Sequence, residues 1–334
     1  MTEGMDAFDF VCSTRIVAGP GAADRVGEVA HALGASRALL CADADALAGG
    51  RPISLATSLD EHGIALVATV EVGASHDAAG GERLAASTDV VLALGGSAAF
   101  ERARAIAGTL PIVGLPTTAS SGEGHSRCAA LVLDPELSLD VPDVAARTAA
   151  IIAIGRTVEA WVTSARNPMS DLFAREAWRQ LAASYLRVAI GPADADAIAN
   201  LQLGAFLSDV AATRSGLGAL DACVGPVNAR SEVGRGPVLA ILLPEVVKWN
   251  ARVVADRYAE LSAAGGEARH PEALVARLED FVTAGGFPER LAQAGIPERD
   301  LPSLAERAAA EPSAAANPRK FDVAGALELY AATY

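Results

Sequence analysis

"DVVLALGGSAAFERARAIAGTLPIVGLPTT", residues 89–118, reads as strand, glycine turn, helix and strand. Its two β-branched apolar runs, 89–96 and 110–118, end in Gly or Thr, as strands bounded by turn residues do. Two runs of the same kind lie upstream, "SRALLCAD" at 36–43 and "IALVATVEV" at 64–72. Before them, "AADRVGEVAHALG" puts Val26, Val29, Ala30 and Leu33 on one helical face and stops at Gly34, a residue suited to a left-handed cap. Strands alternating with helices predict a parallel sheet covered on both faces, with ligands bound where strands end and loops begin.

From residue 144 the character changes to long Ala- and Leu-rich helical stretches. In "NPMSDLFAREAWRQLAASYLRVAI" (167–190), Ala174, Trp178, Leu181, Tyr185 and Val188 recur at helical spacing, and Pro168, Ser170 and Asp171 supply start signals. "LPSLAERAAAE" (301–311) carries the capping-box spacing from Ser303 to Glu306, which predicts a second helix start. Stretches 261–272 and 311–322, rich in Gly, Pro and Asn, read as exposed loops. The predicted fold is an α/β domain over 1–143 and an all-α domain over 144–334.

Composition narrows the function. A chain of 334 residues with 51% hydrophobic content is long enough to bury a substantial core. Its net charge of −14 disfavours nucleic acid and anionic membrane as partners, and an anionic small molecule would need a local basic pocket. The acidic start "MTEGMDAFDF" lacks the features of a signal peptide, and no run of about eighteen apolar residues occurs, so a cytoplasmic protein is expected. Cys12, Cys41, Cys128 and Cys223 are scattered without a C-x-x-C and read as reduced packing residues.

Chemistry begins at the glycine turn. Gly95, Gly96 and Ser97 let backbone N–H groups approach a pyrophosphate at the start of a helix, whose dipole favours the same anion. The same three residues also make an ordinary tight turn. Thr117 and Thr118 end the next strand in the same row of loops, and Asp43 ends "ALLCAD". A carboxylate at Asp43 would accept from an adenosine ribose and repel an added phosphate, favouring NAD(H) over NADP(H), or it would serve only as a helix cap.

Taken together, "STRIVAGPGA", "LGASRALLCAD", "VVLALGGS", "PIVGLPTTASSG", "LDPELSLDVP", "VEAWVTSARNPMSD", "AILLPEVVKWN" and "NPRKFDVAGALELY" resemble the iron-containing alcohol dehydrogenase family, of dehydroquinate synthase-like fold. The resemblance covers almost the whole chain and is greatest to the maleylacetate reductase branch. It implies a dinucleotide-binding α/β domain, a helical domain, a cleft between them and usually a divalent metal that polarises a carbonyl or alcohol oxygen. Asp43, Gly95, Gly96, Ser97, Thr117 and Thr118 match the family's cofactor loops, although Leu94 stands where a third glycine begins the family's turn. The family's hairpin between His125 and "LDPELS" is nearly absent, which implies a more open cleft on that side.

The metal ligands do not carry over. Aligned on "VEAWVTSARNPMSD" and "RGPVLAILLP", Ile152, Arg156, Asp221 and Arg235 occupy the positions of the family's Asp and three His ligands, and Gly225 replaces a histidine assigned to proton transfer. A guanidinium offers no acceptor and stays charged, so no catalytic metal is expected. Arg156 and Arg235 are expected to converge with Asp221 between them, leaving one uncompensated positive charge. That cluster is either an anion clamp and oxyanion stabiliser or an inert buried ion pair.

Arginine is a poor proton donor, so His125, expected on a loop facing the cleft, Glu123 or Asp221 would supply the acid, or water would. Cys223 reads as a packed thiol. The favoured function is a metal-independent NAD(P)H-dependent reductase of a small carboxylated or acyl carbonyl or enoyl substrate. A non-redox lyase, cyclase or isomerase and a catalytically inactive relative are the alternatives, and a homodimer is open.

Overall fold

The computed structural model describes residues 7–334 except 49, 74–83, 120–124, 140, 142 and 192–193. The chain forms two compact units. One comprises Cys12–Ala146 with Ala193–Leu203, and the other comprises the N-terminal stretch through Val11, Arg147–Pro192 and Gly204–Tyr334. A single cut at residue 143 therefore misses two excursions of the chain.

The first unit is the α/β unit. It contains β1 (Arg15–Ala18), α1 (Val26–Ala32), β2 (Arg37–Ala42), α2 (Ala44–Ala48), α3 (Arg51–Glu61) and β3 (Ala65–Glu71). β4 (Val90–Gly95), α4 (Ser97–Ala107), β5 (Ile112–Pro116) and β6 (Ala130–Leu133) follow. All six strands are parallel, in the order β1-β6-β5-β4-β2-β3. Residues Val90–Leu94 are fully buried, as a central parallel strand requires with helices on both faces. β3 lies on one side of β2 and β4 on the other, so the chain reverses its direction of travel there. The reversal opens a crevice at the C-terminal ends of β2 and β4, where open α/β sheets bind ligands.

All four strands read from sequence are present, each trimmed by one or two residues at each end. β1 and β6 escape sequence reading, because four residues are too few to show a period. β6 occupies the place of the missing hairpin and pairs with both β1 and β5. On α1, Val26, Val29 and Ala30 are fully buried, but Leu33 is 39% exposed because it falls after the last helical turn. Gly34 follows at φ 79°, in the left-handed conformation expected of it.

The helical unit is built from α5 (Asp143–Val162), α6 (Pro168–Ile190), α7 (Ala195–Ser215), α8 (Ala219–Asn228) and α9 (Arg235–Ala264), with the first residues of α5 and the first turns of α7 contributed to the other unit. α10 (Pro271–Gly285), α11 (Leu301–Ala309) and α12 (Val323–Ala332) complete it. Asn167 caps α6 in a reciprocal box with Ser170, and Ala174, Trp178, Leu181 and Tyr185 are buried as their spacing predicts. The cap expected at Ser303 is displaced. α11 starts at Leu301 with Pro302 in its first turn, and the Ser303 hydroxyl donates back to the Asp300 carbonyl at 2.9 Å. The predicted loops are also shorter than read, since α9 runs to Ala264 and a 3₁₀ turn occupies Pro312–Ala316. Among the described residues, no helix is long and apolar enough to cross a membrane.

One buried side chain explains the second excursion of the chain. Gln202, on the part of α7 that belongs to the α/β unit, is 1% exposed. Its amide nitrogen donates to the Pro116 carbonyl at 3.2 Å, the Asp134 carbonyl at 3.1 Å and the Ser138 hydroxyl at 3.0 Å. Replacing it with leucine strands these acceptors in an apolar setting. Gln202→Leu is expected to lower stability by about 1–3 kcal/mol, read as a reduced urea midpoint; an unchanged midpoint would show that the three bonds contribute nothing.

Candidate functional site

In the α/β unit, the predicted cofactor residues meet at three neighbouring strand ends. Asp43 follows β2, Gly95 ends β4 before Gly96 and Ser97 start α4, and Thr117 and Thr118 follow β5. The Asp43 carboxylate accepts the Gly96 N–H at 2.6 Å, so it is tied to the glycine turn itself. The Thr117 N–H donates to the Gly95 carbonyl at 3.1 Å. Gly95 adopts φ 142°, and a Cβ there would stand 2.3 Å from the Asp43 carboxylate. Glycine is therefore required both by conformation and by space.

The N-cap residue of α4, Gly96, has no side chain of its own to cap the helix. A glycine turn at a helix start, in the crevice of the sheet and with N–H groups beyond the one held by Asp43, fits the pyrophosphate of a dinucleotide. The residues present thus suit that group.

His125 does not stand on an open loop. It is 2% exposed in a 3₁₀ turn and packs edge-on against Phe100 of α4, with ring centroids 5.2 Å apart. The reason is local, because β6 follows within a few residues and draws the turn into the sheet's helical cover. Glu123 lies outside the described residues.

In the helical unit, each of the two arginines is held by a carboxylate. Arg156 of α5 is 9% exposed and its guanidinium donates to Asp209 of α7 at 3.0 Å. Asp209 is itself 2% exposed. A cation this deep requires a carboxylate within hydrogen-bond reach, and Asp209 supplies it. Arg235, the first residue of α9, instead donates to Asp221 of α8 at 2.5 Å, and this pair is partly exposed. Two cations therefore face two carboxylates, and the uncompensated positive charge disappears. Ile152 is half-buried, and a side chain at Gly225 would approach the Glu311 carboxylate.

The residue that sequence reasoning missed is Glu159. It projects from α5 one turn beyond Arg156 and is 5% exposed. One of its oxygens accepts the N–H groups of Gly218 at 3.0 Å and Leu220 at 2.8 Å, and the other accepts that of Asp221 at 3.1 Å. The Asn317 side-chain oxygen takes the Ala219 N–H at 3.0 Å. The four donors that every helix start leaves unpaired are thus all satisfied at α8. The approach is close, since a Cβ on Gly218 would lie 2.7 Å from the Asn317 oxygen.

Burial, reinforced by the nearby Asp221 charge, pushes the Glu159 carboxyl up to about 8. Cys223, on the same helix, is fully buried and its thiol is also pushed up by burial, which withholds the thiolate a nucleophile needs.

A divalent iron requires several oxygen, nitrogen or sulfur donors around one point. The four positions carry one isoleucine, two guanidinium groups and one carboxylate already engaged by Arg235. Among the described residues, no group of three or more His, Cys, Asp or Glu side chains could hold a metal ion. These residues do not fit the metal.

A parallel sheet with a glycine turn at its switch point is continued in one chain by an all-helical unit. The iron-containing alcohol dehydrogenase model matches residues 13–154, and that for the C-terminal part of the Fe-containing alcohol dehydrogenase family matches residues 148–334. The chain belongs to the iron-containing alcohol dehydrogenase family.

It is 28% identical over 326 residues to the maleylacetate reductase of Rhizobium sp. (strain MTP-10005), covering 89% of this chain and 90% of that protein. It is 27% identical over 225 residues to long-chain-alcohol dehydrogenase 1 of Geobacillus thermodenitrificans (strain NG80-2), covering 60% of this chain. That match spans 57% of the dehydrogenase's own length. The structure of a 1,3-propanediol oxidoreductase superposes with a TM-score of 0.88 at 22% identity, covering 98% of this chain and 100% of that one, which shows the shared fold.

The raised carboxyl makes a prediction about stability. Between the ordinary value of 4.5 and about 8, the folded protein keeps the Glu159 proton while the unfolded chain has lost it. The unfolded state then binds fewer protons, so this group makes stability fall as pH rises through that window and level off above it. Urea unfolding across the window should show a shallower decline for Glu159→Gln than for the wild type; parallel curves would remove Glu159 as the source.

Proposed function

We infer that this protein is a nicotinamide-dependent reductase that works without a catalytic metal on a small substrate bearing a carboxylate beside its carbonyl or enoyl group. The observation that carries this reading is the Asp221–Arg235 pair, a partly exposed ion pair at positions where the family resemblance puts metal ligands. When bound, the nicotinamide supplies a hydride. The Gly95, Gly96 and Ser97 turn at the start of α4 would hold the pyrophosphate, with Thr117 and Thr118 beside it. The Asp43 charge favours NAD(H), because an added 2′-phosphate would be repelled there.

Exposure separates the two arginines. The side chains of Arg156 and Asp209 are 10% and 3% exposed, and breaking such a pair by removing one partner costs about 3–5 kcal/mol. Those of Arg235 and Asp221 are 37% and 24% exposed, and solvent-exposed pairs contribute about 0–1 kcal/mol. Arg235 can thus exchange Asp221 for a substrate carboxylate at small cost, whereas Arg156 acts as framework. The planar guanidinium grips a carboxylate through paired N–H groups and can also face oxyanion charge that develops during reduction. It cannot release a proton, so the proton comes from another group or from water.

The name of the Rhizobium relative supplies the first substrate to try. NADH oxidation with maleylacetate should persist after exhaustive chelation, and Arg235→Ala should raise KM about 10- to 100-fold, as loss of a charge-assisted contact does. Stoichiometric iron or zinc in active protein, with activity lost on chelation, would refute metal independence. A protein that neither binds nor oxidises NADH or NADPH would refute the reductase.

A further inference from the structure

Glu159 does not meet the proposed substrate ligand, yet its geometry points at it. Its carboxyl is buried on α5 and reaches only backbone on α8, where it accepts the N–H groups of Gly218, Leu220 and Asp221. Asn317 accepts the intervening Ala219 N–H and is held in turn by Asn250, through amide bonds of 3.1 and 2.9 Å in opposite directions. Asp221, third in the helix, is therefore fixed at its own nitrogen. Its side chain then meets Arg235.

Helix starts ordinarily satisfy these donors with one short cap residue or with water. Here two buried side chains from distant parts of the sequence do so, and Gly218 provides no side chain that could substitute for them. An ordinary cap does not provide such precision, because a single Ser or Asp in place of Gly218 would take only one or two of these donors and its Cβ would crowd the Asn317 oxygen at 2.7 Å. A rigid seat for Asp221 calls for it, since the placement of a charged side chain on a surface-facing turn is otherwise loose.

We propose that Glu159 is a positioning residue, which with Asn317 locks the first turn of α8 so that Asp221 holds Arg235 in the orientation that receives a substrate anion. This rests on the reading of Arg235 as the anion clamp. The Glu159→Gln substitution tests it sharply. The oxygen of the introduced amide could still accept from Gly218 and Leu220, but the NH2 group would face the Asp221 N–H, donor against donor. The disturbance falls on the one residue of the turn that contacts Arg235.

The experiment uses the full-length protein labelled with 15N. The Arg235 Nε–Hε signal is assigned by its loss in Arg235→Lys, and its unpaired position is taken from Asp221→Asn. In Glu159→Gln the signal should move toward the Asp221→Asn position, and KM for maleylacetate should rise about 3- to 10-fold with kcat changed less. A purely structural cap would lower the urea midpoint and leave the Arg235 signal in place; that outcome overturns the positioning role whatever the activity.

If the signal moves but even the wild type fails to turn over maleylacetate, positioning stands and the reductase reading on that substrate falls. Should Glu159→Gln not fold, Glu159→Asp keeps the carboxyl group, withdraws it by one methylene and is read in the same way.

Discussion

Charge buried among apolar helices is the constraint on which the helical unit depends. Arg156, Asp209 and Glu159 are each nine-tenths or more buried, and no isolated ion survives there without a partner. The unit answers in two ways. Arg156 and Asp209 neutralise each other across α5 and α7, while Glu159 is surrounded by backbone donors and held toward its neutral form by burial. α5 thus carries a cation and an acid one turn apart, and each fastens the helix to a different neighbour. Two separate struts result, one ionic and one through peptide N–H groups.

The α/β unit answers a different constraint. Parallel strands align all their C-terminal ends on one edge, so residues distant in sequence meet there. Asp43 and Gly96 are 53 residues apart and are joined by a 2.6 Å bond. That bond stabilises the turn, but it also engages an N–H group and a carboxylate that a dinucleotide could use. A nucleotide entering the turn meets an arrangement already closed by one internal contact, and its pyrophosphate must rely on the N–H groups that follow Gly96 and on the dipole of α4.

The legibility of the sequence follows the range of the interaction. Periodic features are readable because they repeat locally: the four strands, the helix through Trp178 and Tyr185, and the glycine turn with its three strand ends. Single-contact features are not. Asp209 lies in "LQLGAFLSDVAATRS", where its one visible signal is a lone acid in an apolar run, and its partner is 53 residues away. Glu159 sits in "TVEAWV" in the same way, and its partners are backbone atoms, which leave no side-chain signature. His125 misleads because the preceding polar and glycine residues suggest a loop, while the following β6 is too short to announce itself.

Under the reductase reading proposed above, a guanidinium in place of a metal would change more than the identity of the cation. A bound divalent metal both attracts oxygen and acidifies water on it, so it can supply charge and proton together. Arg235 supplies charge alone, fixed at every physiological pH and delivered through planar N–H groups. Under the reductase reading, the transition state must then be stabilised as an anion and protonated later. A carbonyl conjugated to a carboxylate or an alkene suits such a site better than a simple aldehyde, because its added electron pair is delocalised toward an oxygen that a guanidinium can face. Under the same reading, the partial burial of the partner carboxylate, Asp221, suits its role. A pair sealed in the core would be too costly to open, and one fully in water would not keep Arg235 oriented.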